Sequence, residues 1–341
     1  MSDPESQSQS QPHDGFDVGV ETTARLHFGF VNLSLARRRI YGGVGVAVDR
    51  PHAVLRARRS DEVSVTRSGL GSEYDTDFTG IESYARRAVS LLGVDGVEIE
   101  VERHIPRHVG LGSGTQIALG VLRCVAEAHG VESDLRTLAP EMGRGGRSGV
   151  GVACFESGGF VLDAGHPSER FTSRSPERGD WEVPPVVARH NLPDDWRFVV
   201  VVPEAEEGKH GDEEETSIRR VIESADPSVA DEISNVVLDR VLPGVASGDI
   251  DEFGAGVEEI GRLNGAWYTR FQGGVYREES KPVVEELRSL PAVKGVGQSS
   301  WGPSVYGVTT EDRAVEVAGA VDGEEREVYV AEPDNTGHEL V

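Results

Sequence analysis

Pro106-Arg107-His108-Val109-Gly110-Leu111-Gly112-Ser113-Gly114-Thr115-Gln116 is the stretch on which the reading of this chain turns. On its N-terminal side Val97, Ile99 and Val101 alternate with Glu98, Glu100 and Glu102, the period-two pattern of a half-buried strand. On its C-terminal side Ile117, Leu119, Val121, Leu122, Val125 and Ala126 recur at helical spacing. A strand therefore feeds a loop holding three glycines, and the loop opens a helix. Glycine lets backbone come close to a ligand, and the first N–H groups of a helix have no partner inside it. The helix dipole adds partial positive charge there, so a phosphate fits the spot. The competing reading is an ordinary glycine-rich turn before a helix. No Lys-Ser or Lys-Thr pair follows the last glycine, so this is not a Walker A loop.

Residues 1 to about 15 are too polar to bury a core and are expected to be a disordered tail. The remainder divides into two expected domains, 16–190 and 191–341. Val18 to Asn32 reads as a strand with Ala24, Leu26, Phe28 and Phe30 on one face and Arg25 and His27 on the other. Further strands are expected at about 42–48, 53–58 and 62–67, and a helix at 77–92. Beyond the central helix, Ser133 or Asp134 caps a short helix through Met142. Strands follow at 152–155 and 160–163, and 167–195 reads as a surface loop or domain connection. The second half opens with the buried strand Phe198 to Val202. Helical patterning then covers about 213–224, 229–241, 249–269 and 278–290. The chain closes with strands near 293–296, 305–308 and 327–331 and a helix near 311–321. This order predicts an α+β fold with helices packed on antiparallel sheets.

The charge balance is strongly acidic: 59 Asp and Glu against 34 Lys and Arg give a formal charge of -25. Only Lys209, Lys281 and Lys294 are lysines. Acid spread over the surface predicts a protein that stays hydrated in concentrated salt, where screening shortens the Debye length to about 3 Å at 1 M. Such a surface repels nucleic acid and anionic membranes, so small-molecule substrates are the expected partners. Cys124 and Cys154 sit in apolar stretches and read as buried free thiols of a reducing compartment. With no apolar run long enough to span a bilayer and no signal segment, a cytoplasmic location is expected.

Pro106 to Gly114 resembles the phosphate-binding motif of the GHMP kinase superfamily, and Gly295 to Ser304 resembles its C-terminal glycine-rich motif. Four stretches narrow the resemblance: Arg25 to Leu33, Gly146 to Ala153, Phe155 to His166, and Ser299-Ser300-Trp301-Gly302-Pro303. They are similar to the β-ribofuranosylaminobenzene 5′-phosphate synthase family, archaeal enzymes of methanopterin biosynthesis. The resemblance implies a two-domain GHMP kinase-like fold. Its N-terminal half would be an α/β sandwich with a left-handed βαβ-type core, its C-terminal half a ferredoxin-like α+β domain. It also implies condensation of phosphoribosyl pyrophosphate with 4-aminobenzoate, loss of CO2 and pyrophosphate, Mg2+ as cofactor, and a homodimer. One departure matters. Mevalonate-type kinases carry an acid that acts on the acceptor hydroxyl, where this chain has Gly151. An ATP-dependent kinase on the same scaffold is the second reading, and a non-catalytic phosphometabolite-binding protein the third.

On this resemblance Gly110, Gly112, Ser113, Gly114 and Thr115 are the expected phosphate contacts, joined by Arg25, Arg144 and Arg147, whose guanidinium groups fork onto phosphate oxygens. His27, beside Arg25, is read as a contact to the 5′-phosphate or the substrate carboxylate. His27, Asp163 and His166 are the candidate catalytic residues. Asn32, Ser148, Ser299, Ser300 and Gly302 are the candidate substrate contacts. Their competing readings are structural: a solvated strand face, ion pairs, and turn caps. No residue is assigned as a metal ligand.

Overall fold

The computed structural model describes residues 15–68, 78–172, 176–205 and 211–341. The expected N-terminal tail lies almost entirely outside them. Strand β1 (Val18–Asn32) pairs antiparallel with β2 (Arg39–Ser60), whose 22 residues cover two expected strands. Asp49, Arg50 and Pro51 fall between the two expected strands, and Pro51 lacks a backbone donor. In the ladder they form a bulge: Ala24 pairs with Val48 and Thr23 with His52, and the strand continues.

Beyond β2 lies β4 (Gly96–Arg103), antiparallel to it, and then β3 (Ser64–Arg67), parallel to β4. Helix α1 (Phe78–Leu92) connects those two strands, which makes a βαβ unit. At the other end of β2, β5 (Phe160–Asp163) pairs with Val44 to Val46, and β6 (His166–Pro167) pairs with Arg39 and Ile40. β7 (Val186–His190) adds to β5, so the region read as a connection contributes a strand. Helix α2 (Ser113–His129) packs on β1 and β2, burying Ile117, Leu119, Val121, Leu122 and Val125 as its pattern required.

Two local readings change. The helix after α2 is only one turn, α3 (Leu135–Leu138), capped by Asp134 whose side chain accepts from Thr137 N at 3.1 Å. Val152 to Phe155 is not a strand but the middle of helix α4 (Val150–Ser157). Val150, Val152, Ala153, Cys154 and Phe155 are all buried, and an element apolar on every side carries no period to distinguish helix from strand.

The second sheet has the order β11 (Arg326–Ala331), β8 (Trp196–Pro203), β10 (Val305–Thr310), β9 (Gly295–Gln298), with every neighbour antiparallel. Counted along the chain this is the 4-1-3-2 order of a ferredoxin-like domain. Between β8 and β9 run α5 (Gly211–Ser224), α6 (Pro227–Val236), a π-helical turn at Val237–Val241, α7 (Leu242–Ser247), α8 (Ile250–Gln272) and α9 (Ser280–Ser289). Helix α10 (Glu311–Val321) joins β10 to β11.

Apolar packing continues between the halves. Phe253 of α8 lies 4.9 Å from Trp196 and 6.0 Å from Phe28, ring to ring, and Tyr306 lies 5.1 Å from Phe28. The chain then returns to its start: β12 (Glu339–Leu340) pairs with Val20 and Glu21, and Asp334 accepts from Thr23 Oγ1 at 2.7 Å. Cys124 and Cys154 are buried free thiols, and burial pushes the Cys154 thiol up to about 12.

Candidate active site

A cavity of about 850 Å³ opens where the start of α2, the polar face of β1, the 143–148 loop, residues 166–172 and 176–182, and the 300–302 loop meet. That volume lies within the range of small-molecule binding sites. Among the described residues its wall holds six arginines (Arg25, Arg107, Arg144, Arg147, Arg170 and Arg219) against two carboxylates, Asp180 and Glu182. The chain as a whole is far more acidic than basic. The inversion of charge inside the cavity is therefore a local feature, and it favours anionic ligands.

The start of α2 forms the floor. Gly112 occupies the cap position with φ 79°, a left-handed conformation, and no side chain caps the helix. The N–H groups of Thr115 and Gln116 turn back to Gly112 O, at 3.0 and 3.3 Å, while Ser113 and Gly114 line the cavity. Two guanidinium groups lie over this turn. A β-carbon on Gly112 would stand 2.7 Å from Arg25 Cγ, and one on Gly114 would stand 3.0 Å from Arg144 Nη1. Arg25 Nη1 donates to Gly110 O at 2.7 Å, and Arg144 stacks its guanidinium 5.2 Å from the Tyr84 ring centre. Trp181 Nε1 donates to Arg144 O at 2.8 Å and steadies the loop.

His27 lines the cavity two residues beyond Arg25 and is only 3% exposed. Its backbone is pinned by the C-terminal motif: His27 N donates to Ser299 Oγ, and Ser300 N donates to His27 O, each at 3.0 Å. Its Nε2 lies 3.3 Å from Ser148 Oγ, which donates to Asp163 Oδ2 at 3.1 Å. Asp163, 1% exposed, also accepts from Gly149 N at 2.8 Å and Gly165 N at 2.7 Å. Burial pushes the Asp163 carboxyl up, opposed by the amides of Gly165, Gly43 and Gly149 and by the Ser148 hydroxyl. Burial, reinforced by Arg25 and Arg147, holds the His27 imidazole well below its usual value.

Of the other expected residues, Ser148, His166, Ser300 and Gly302 line the cavity, as do Arg147 and Thr115. His166 sits edge-on to Tyr41 at 6.2 Å, and its buried Nε2 has no hydrogen-bond partner among the described residues. Asp163 stands behind Ser148, outside the wall. Ser299 is likewise behind it: its Oγ donates to Gly110 O at 2.7 Å, stapling one glycine-rich motif to the other. Asn32 closes its own turn, donating to Ser34 O at 2.8 Å and accepting from Ser34 N at 2.7 Å. The sequence reading missed Tyr41, Tyr84, His104 and the wall supplied by Arg170, Phe171, Asp180, Trp181 and Glu182. A usable signal was present in Phe171 and Trp181, two large aromatics in an otherwise polar stretch.

Gly151 lies in the first turn of α4, where a β-carbon would meet Thr115 Cγ2 at 3.3 Å, and its carbonyl accepts from Gln116 Nε2 at 3.0 Å. No acid stands there. Among the described residues no group of three His, Cys, Asp or Glu side chains is arranged to hold a metal ion. The guanidinium-rich donor set does not fit a resident Mg2+. No helix among the described residues is long and apolar enough to cross a membrane.

Residues 81–159 match the GHMP kinases N terminal domain and residues 241–325 the GHMP kinases C terminal family. Beta-ribofuranosylphenol 5'-phosphate synthase of Methanothermobacter thermautotrophicus is 35% identical over 309 residues, covering 89% of this chain and 91% of that protein. The protein of the same name from Archaeoglobus fulgidus is 31% identical over 329 residues, covering 94% and 98%. Among solved structures, Methanococcus jannaschii mevalonate kinase superposes with a TM-score of 0.65 at 14% identity, over 95% of this chain and 100% of that one, a likeness of fold alone. With the two-domain GHMP fold and this sequence identity along nearly its whole length, the chain is an enzyme of the β-ribofuranosylphenol 5′-phosphate synthase family within the GHMP kinase superfamily.

Proposed function

We propose that this enzyme joins phosphoribosyl pyrophosphate to a benzoate bearing an electron-donating para group, releasing CO2 and pyrophosphate. The observation that carries this reading is the arginine-lined start of α2, where no side chain caps the helix, together with glycine rather than an acid at position 151. Ser113 and Gly114, with Arg25, Arg144 and Arg147, hold the leaving diphosphate and take up its charge as the C1′–O bond breaks. The cavity wall then becomes aromatic, with Phe30, Tyr41 and Trp301, and orients the flat acceptor. The acceptor implied by the sequence resemblance is 4-aminobenzoate. The names of the curated relatives point instead to its phenolic counterpart, 4-hydroxybenzoate. Any Mg2+ the reaction uses arrives on the substrate's phosphate oxygens.

The test is release of labelled CO2 from carboxyl-labelled 4-hydroxybenzoate and 4-aminobenzoate, each with phosphoribosyl pyrophosphate and Mg2+ in molar KCl. Release from either acceptor, dependent on the diphosphate, is the expected result. ATP consumption with an alcohol acceptor, and no CO2, would overturn the proposal in favour of a kinase.

A further inference from the structure

His27, Ser148 and Asp163 come from three separate elements, and their hydrogen bonds fix where the protons are. Both oxygens of Asp163 face donors: Gly165 N reaches Oδ1, while Gly149 N and Ser148 Oγ reach Oδ2. Of these partners only the Ser148 hydroxyl could accept from a protonated carboxyl, whereas the amides of Gly165, Gly149 and Gly43 can only donate, so the shell around Asp163 favours the carboxylate. The single proton of Ser148 is thus committed to Asp163, and its lone pairs receive Val150 N, at 3.2 Å, and His27 Nε2. A neutral imidazole carries one N–H, and here it must be on Nε2. Nδ1 is the nitrogen left bare for an occupant of the cavity that His27 lines.

We infer that Asp163, acting through Ser148, holds His27 in the Nε2–H tautomer and keeps Nδ1 as the proton acceptor for the para hydroxyl of a phenolic substrate. This rests on the phosphoribosyl-transfer reading above. The spacing agrees with it. Arg25 and His27 lie two residues apart on one strand face, about 6.6 Å, which separates a diphosphate at Gly112 from the far edge of an aryl ring bonded to C1′. The Phe30 ring stands edge-on to His27 at 4.9 Å, so the ring's surroundings are apolar there.

The proton is borrowed and returned. The ring carbon bearing the carboxylate bonds to C1′, the C1′–O bond breaks, and diphosphate leaves with the electron pair. The phenolic proton passes to Nδ1, leaving a neutral dienone that still carries the carboxylate. CO2 departs, the pair from its C–C bond restores the aromatic ring as a phenolate, and the phenolate recovers the proton from Nδ1. Arg25 and Arg147 disfavour the imidazolium and so favour the return. A para amine stabilises the same ring cation through its lone pair and gives up no proton. His27 is then the base, Ser148 and Asp163 are positioning residues, and the relay serves 4-hydroxybenzoate more than 4-aminobenzoate.

The test is 15N NMR of the full-length protein labelled in histidine, with the His27 signals identified by their loss in His27→Gln. The Nε2–H tautomer is expected in the native chain and a mixture in Ser148→Ala, which leaves Asp163 with its amide partners. In turnover, Ser148→Ala is expected to lower kcat for 4-hydroxybenzoate by about tenfold to a hundredfold, with much less effect on 4-aminobenzoate or on the KM for phosphoribosyl pyrophosphate. An Nδ1–H tautomer in the native chain, no tautomer change in Ser148→Ala, or equal losses on the two acceptors would each overturn the relay. Absence of CO2 release by the native enzyme from both acceptors counts against the reaction instead, and the NMR result still decides the tautomer.

Discussion

Arg25 lies across Gly112, its Cγ 2.7 Å from where a β-carbon on that glycine would stand, while its Nη1 holds the carbonyl of Gly110. One arginine from the first strand thus braces the loop that starts α2, and the close approach requires glycine. Gly112→Ala should displace Arg25 and impose a left-handed conformation on a residue with a β-carbon, costing about 1–2 kcal/mol. Pyrophosphate affinity, followed by calorimetry, should fall by about tenfold or more, while binding of the aromatic acceptor is retained. Unchanged pyrophosphate affinity would remove the cradle from this loop.

Arg144 makes the same approach over Gly114 and rests on Tyr84. Arg144→Met keeps apolar cover on the ring and removes the charge. A hydrogen bond to a charged group contributes about 1.5–3 kcal/mol, so pyrophosphate should bind roughly tenfold to a hundredfold more weakly with little change in Tm. A lower Tm with undiminished affinity would make Arg144 a structural residue instead.

Five histidines, His27, His52, His104, His166 and His338, have pKa values lowered by burial. Each binds a proton more readily unfolded than folded. Their contribution to stability is complete above the unfolded histidine value of about 6.5 and is lost as pH falls below it, with a slope of up to about 1.4 kcal/mol per pH unit for each proton taken up. His27 is the most buried and should contribute most, the partly exposed four less. Tm at constant salt should therefore drop between about pH 6.5 and 5, and His27→Gln should flatten the fall. A Tm that held level through that range would show the histidines to be titrating as they do in the unfolded chain.

No metal cage is present among the described residues, so chelation should leave the fold intact. With excess EDTA the Tm should stay where it was, and Mg2+ alone should produce no calorimetric binding signal. In 3 M KCl, where the surface charge is already screened, a rise in Tm on adding Mg2+ alone would require a resident site.

The acid excess predicts a further dependence on salt. Raising KCl from about 0.2 M to 3 M shortens the screening length and should raise the Tm progressively, because repulsion among surface carboxylates weakens. A Tm insensitive to KCl would dissociate the composition from salt adaptation.

Much of this protein is written in short-range pattern. The alternation of Val97, Ile99 and Val101, the three glycines and the helical stripe from Ile117 placed a strand, a loop and a helix where they stand, because period and glycine content record which face is buried and where backbone must turn. The two glycine-rich motifs were equally legible. What their meeting requires was not: Ser299 closes on Gly110 across 189 residues of chain. Helix α4 escaped because burial on all sides erases the period, and the aromatic wall at Phe171 and Trp181 escaped because a loop has none. Tertiary structure alone decided that Asp163 stands behind Ser148 rather than in the cavity, and that Ser148 meets a histidine 121 residues away. Residue type follows from the gene locally, but a proton's position follows from which groups packing brings within about 3 Å of one another, and that depends on the whole chain at once.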